Sequence, residues 1–184
     1  CEFIPRLDLK TRVTLVVHAK ELKRTTNTGS LALEALSNSQ LIVRGKTKDP
    51  VDLTPLLSPE YLPLLFFPSE DAIELTEEFV KSSALPIHLI VPDGNWRQAS
   101  KVHHRHSELG NVQRVMIKTP NTASQHLRAE TTPEGMATLQ AIALALGIIE
   151  GTNVGNSLMA LYDLKLNATL QGRGTKLPKT PCFV

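Results

Sequence analysis

Cysteine, aromatic side chains and a surplus of either charge are all scarce in this 184-residue chain. Its two cysteines, Cys1 and Cys182, stand at opposite ends and form no pair at zinc-ligand spacing, which argues against a disulfide framework or an encoded metal knuckle. Twenty basic residues against 18 acidic ones give a net charge of +2, so any affinity for a polyanion must come from where the cations stand. No apolar run approaches the roughly 20 residues that span a bilayer, and the first residues lack the basic-then-apolar order of a secretion leader. The expectation is a cytoplasmic protein with no membrane partner. Repeats and low-complexity tracts are absent too. The chain opens on Cys1 and not on methionine, which suggests that an N-terminal segment is missing.

What is present fits one compact domain over residues 1–184: hydrophobic residues make up 41% and charged residues 21%. Runs of strand length, β-branched and apolar at Thr11 to His18, occur also at Gln40 to Val43, Leu64 to Phe67, Ile87 to Val91 and Gln113 to Lys118. Helical spacing marks Ser30 to Leu36, Asp71 to Lys81, a segment beginning near Trp96, about Pro133 to Leu146 with Gly147 as its cap, and Asn156 to Leu170. Between them, Pro50, Pro55, Pro59 and Pro63 remove amide donors and allow one helical turn at most. Strands that are apolar throughout and alternate with helices predict an α/β fold, a mostly parallel sheet with helices on both faces.

Ligands of such sheets gather at the carboxyl ends of the strands. Three loops qualify: Thr26-Asn27-Thr28-Gly29, Phe67-Pro68-Ser69 and Asp93-Gly94-Asn95-Trp96. Asp93 has two readings. Asp-Gly pairs form turns first, yet a carboxylate between a strand end and a helix that Asn95 can cap is favoured in its charged form and can accept a proton. Trp96, the one tryptophan, reads as a core anchor or as a ligand platform. With Trp96, Ala99, Val102 and His103 as the buried stripe of a helix, Arg97, Lys101, His104 and Arg105 face solvent, either as a phosphate-binding face or as a solvated one. The run His103-His104-Arg105-His106 has no cysteine beside it and makes a weak metal signal.

Four segments in order, TTNTGSLALEAL, FFPS, DGNWRQASKVHHRHSEL and QHLRAETTPEGMATLQAIALALGIIEG, resemble the DTW-domain family across nearly the whole chain. Members of that family are similar to SPOUT-type knotted α/β proteins, so the resemblance implies a C-terminal knot. It also implies transfer of the 3-amino-3-carboxypropyl group of S-adenosyl-L-methionine to N3 of a uridine in tRNA, with acp3U and 5'-methylthioadenosine as products. By that resemblance Asp93 is the catalytic base. Asn27, Thr28, Gly29, Phe67, Pro68, Gly94, Asn95, Trp96, Leu127, Arg128, Thr138 and Gln140 line the donor pocket, with Arg128 suited to the methionine carboxylate. Arg97, Lys101, Arg105 and Arg173 contact RNA phosphates. The partner is tRNA and not DNA; oligomeric state is left open. Three positions depart from the family pattern. Asn95 stands for its threonine, Gln140 stands for a common glutamate, and Cys1 is all that corresponds to an N-terminal cysteine cluster, so no metal is expected. The departures keep two alternatives open, a binding module that has lost catalysis and a SPOUT-like RNA methyltransferase.

Overall fold

A computed structural model describes residues 3–22, 24, 27–45, 51–94, 96–118 and 136–174, with the side chains of Trp96 and Arg97 outside the description. Strands β1 (Arg12–His18), β2 (Ser39–Arg44), β3 (Leu62–Phe66), β4 (Ile73–Glu74), β5 (Ile87–Asp93) and β6 (Gln113–Met116) form one open sheet in the order β2-β1-β5-β3-β6-β4. Every pairing among them is parallel, which completes the expected α/β class. All seven residues of β5 are buried, as a strand covered on both faces requires.

The period of two sorts side chains between the faces. Val13 and Leu15 of β1, Leu89 and Val91 of β5, and Val115 of β6 point to one face. There they pack beneath α1 (Gly29–Ala35), α5 (Thr138–Ile149) and α6 (Thr152–Gly172). Val16, Leu65 and Ile90 point to the other, against Leu53, Leu56, Val102, Leu109 and Val112. This second face is covered by single turns: a 3-10 turn at Thr54–Leu56, α3 (Trp96–Ala99), α4 (Val102–Arg105) and a 3-10 turn at Ser107–Leu109. Among the described residues no helix is long and apolar enough to cross a membrane.

Several boundaries differ from those expected. The helix expected over 71–81 is shorter: β4 pairs at the sheet edge, and α2 (Glu77–Ser82) starts only where the Thr76 hydroxyl accepts the Phe79 amide at 3.2 Å. Gly147 does not end α5. It is a contact point between helices, because a Cβ on Gly155 of α6 would lie 2.8 Å from the Gly147 Cα and 3.0 Å from the Ala143 oxygen. The turn falls instead at Gly151, whose φ of 110° suits glycine. The single helix expected behind Trp96 is two short ones, and Arg44 donates to the Gln98 carbonyl, which a continuous helix would offer to the Val102 amide. The C-terminal knot depends on the course of residues 119–135 and 175–184, which lie outside the described residues.

Candidate active site

Asp93 is the last residue of β5, opposite Val17 of β1, and is 7% exposed. By alternation it shares the face of Leu89 and Val91, so it meets the N-termini of α1 and α5. Its Oδ2 accepts from Asn27 Nδ2 at 2.9 Å, and its Oδ1 accepts from the Thr138 hydroxyl at 2.7 Å. These partners stand 66 and 45 residues away in sequence. Hydrogen bonds to both oxygens fix the orientation of the carboxyl group.

The same residues begin the two helices. Asn27 Oδ1 accepts the Gly29 amide at 2.9 Å, an Asx turn that starts α1. Helix α5 has Ala137 at its N-cap and no cap of its own, and its Leu139 amide donates to the Thr28 hydroxyl at 3.1 Å. Thr28 thus satisfies an orphan donor of the neighbouring helix. Gly29 permits this approach: a Cβ there would lie 2.6 Å from Leu15 Cδ2 and 3.3 Å from Thr138 Cγ2.

Of the residues expected in the pocket, Asn27, Thr28, Gly29, Asp93 and Thr138 therefore come together. Gly94 follows directly, and a Cβ on it would press on Gln98 Oε1 at 2.8 Å. Phe67 is buried just past β3, its amide donating to the Val115 carbonyl at 3.1 Å, while Pro68 is exposed. Gln140 is buried in the first turn of α5, about 200° around the helix from Thr138. Asn95, Leu127 and Arg128 lie outside the described residues, as do the side chains of Trp96 and Arg97. Lys101 and Arg105 are exposed on and before α4, and Arg173 is exposed at the end of α6.

Three polar groups on the opposite face escaped the sequence reading. His18 and Arg44 end β1 and β2 side by side in register, and Arg44 is 2% exposed. Burial lowers the pKa of His18 first, followed by the charges of Arg44, Lys20 and Arg105. Burial and then Arg105 lower that of Arg44. The only signal was a charged residue closing the apolar run Leu41-Ile42-Val43, followed by a glycine. His88, fully buried in β5, pairs its Nε2 with the Thr14 hydroxyl at 2.7 Å and its Nδ1 with the Leu56 carbonyl at 3.0 Å. Burial pushes its pKa down to about 4, so it is a neutral structural group.

Comparison with known proteins gives a family and several relatives. A family model described as "DTW domain" matches residues 1–170. The tRNA-uridine aminocarboxypropyltransferase 2 of Macaca fascicularis is 26% identical over 158 residues, 83% of this chain and 53% of that protein. The protein of the same name from Drosophila melanogaster is 27% identical over 148 residues, 77% of this chain and 57% of its own length. The chain thus spans about half the length of the curated relatives it matches. No solved structure matches it.

Proposed function

The chain belongs to the DTW-domain family, and on that footing we propose that it transfers the 3-amino-3-carboxypropyl group of S-adenosyl-L-methionine to N3 of a uridine in tRNA. The observation that carries this reading is the buried carboxylate at a strand end, each oxygen held by a side chain from a different segment. An acid so fixed can receive a proton at a defined point without itself being reoriented.

The residues suit such a donor. Asn27, Thr28 and Thr138 are neutral, and Asp93 is an acid that complements a sulfonium or an ammonium group. When bound, the donor supplies an electrophilic carbon next to sulfur, with a neutral thioether as leaving group. Asp93 takes the proton from uracil N3. The N3–carbon bond forms as the carbon–sulfur bond breaks, giving acp3U, 5'-methylthioadenosine and one proton. Asn27 and Thr138 hold the carboxylate in line during that step. Arg128 is our choice for the methionine carboxylate, and Arg97, Lys101, Arg105 and Arg173 for RNA phosphates.

The names of the relatives support the substrate and the group transferred. Incubation of the protein with unmodified tRNA and S-adenosyl-L-methionine should yield acp3U and an equal amount of 5'-methylthioadenosine by mass spectrometry. A methylated base with S-adenosylhomocysteine in their place would assign the chain to methyl transfer instead.

A further inference from the structure

The burial of Arg44 has no explanation in the proposed transfer chemistry. Its guanidinium donates to the Gln98 carbonyl, while its Nε is buried without a hydrogen-bond partner. Among the described residues no carboxylate pairs with it. A charge taken out of water in this way is costly and its field is weakly screened. Few described groups are within electrostatic reach: Arg105 acts on it, and His18, beside it in the ladder, is itself acted on by Lys20, Arg105 and Glu21. The one acid among them, Glu21, is 1% exposed and lies 3.4 Å from Arg24.

The ring of His18 is set by its neighbours. Nδ1 accepts the Lys20 amide at 3.2 Å, which leaves Nε2 to carry the proton. A Cβ on Gly45 would lie 2.6 Å from that Nε2, and Gly45 has a φ of 84°, so both space and backbone call for glycine. The position relative to Asp93 follows from the ladder. Asp93 pairs with Val17, and His18 is the next residue, pointing to the opposite face. Arg44 lies one strand further out, about 10 Å from Asp93 by the usual strand spacing.

We propose that His18 and Arg44, paired at the end of the ladder, form with Lys20 and Arg105 a binding site for a phosphate group of the RNA backbone. This deepens the transferase reading and rests on it for the identity of the polyanion. A strand of RNA crossing this sheet edge presents its base to the Asp93 face and a backbone phosphate to the other. In the proposed transfer the donor lies with Asp93 on the far side of the sheet, so its carboxylate is not the occupant.

The first test uses inorganic phosphate and the ring signals of His18 in nuclear magnetic resonance spectra at fixed pH, assigned with His18→Asn. Phosphate should shift those signals saturably, an equal ionic strength of chloride should not, and Arg44→Met should weaken the response at least 5-fold. No phosphate-specific shift, or one that Arg44→Met leaves unchanged, overturns the proposal. The second test measures binding of unmodified tRNA over a salt series. Lys20→Gln, a change at an exposed side chain, should lower affinity about 3- to 10-fold and reduce the slope of log affinity against log salt by about 1. Unchanged affinity in Lys20→Gln and Arg44→Met overturns the site and leaves the transferase reading standing. A saturable phosphate shift in a protein with no affinity for tRNA overturns the assignment to RNA and, with it, the reading of the substrate.

Discussion

The two faces of the sheet reach the same carboxyl edge with opposite chemistry. On the face of α1, α5 and α6, an acid is gripped by an amide and a hydroxyl, and two long helices meet backbone to backbone at Gly147 and Gly155. On the other face, single helical turns cover a buried neutral histidine and a buried arginine within reach of Arg105. The strands are the same; only the parity of the residue differs. Alternation along β1 and β5 therefore separates an acid from a basic cluster by the thickness of one sheet, so that neither cancels the other.

The largest expected effect on this contrast comes from acid acting on the second face. His88 has an ordinary pKa near 6.5 in the unfolded chain and about 4 in the fold, so the unfolded state binds more protons between those values. Its contribution is complete above pH 6.5 and is lost as pH falls towards 4, a loss of about 3 kcal/mol by pH 4. Urea unfolding at pH 7 and at pH 4 should show this loss, and His88→Gln should show a smaller one. Equal pH dependence in both proteins would mean that His88 titrates normally in the fold.

Next in size is the helical face. Gly155→Ala drives a methyl into backbone atoms of α5 that cannot give way, and should destabilise by about 1–3 kcal/mol. Gly147→Ala meets only the Gly155 Cα at 3.5 Å, an ordinary contact, and gains helix propensity. It should be neutral or slightly stabilising. Thermal unfolding of the pair checks the asymmetry, and equal losses would contradict the close approach of α5 and α6 at these glycines.

The smallest effect lies in the grip on the acid. Thr138→Val removes one donor to Asp93 and keeps the shape, and should lower kcat/KM for transfer about 10-fold, while Thr138→Ser should retain most of it. If valine matched threonine in rate, the hydroxyl would have no part in positioning the carboxylate.

Much of this was legible in the sequence because burial on both sides writes itself as continuous apolar runs. Four strands stand where Val, Ile and Leu cluster, β6 carries a single Val beside Met, and only the two-residue β4 went unread, being exposed and too short to carry a pattern. The helices that failed did so for tertiary reasons. Gly147 reads as a stop until Gly155 is known to lie against it, and the turn-and-break of 96–105 depends on Arg44, far away in the chain. Of the candidate site, the positions of Asp93 and Asn27 were legible because strand ends and Asx turns have local signatures. The bond between Thr28 and the Leu139 amide has none, nor does the burial of Arg44, since the partners meet only once the sheet is assembled.

In the proposed transfer Asp93 accepts a proton and does not simply shape the donor pocket. The direct measurement is single-turnover transfer to tRNA by the wild type and by Asp93→Asn, with donor affinity taken by calorimetry on the same samples. A loss in rate of about 1,000-fold with donor affinity within a few-fold of the wild type is the predicted result. Transfer at a wild-type rate, or rate and donor affinity falling together by the same factor, would contradict it.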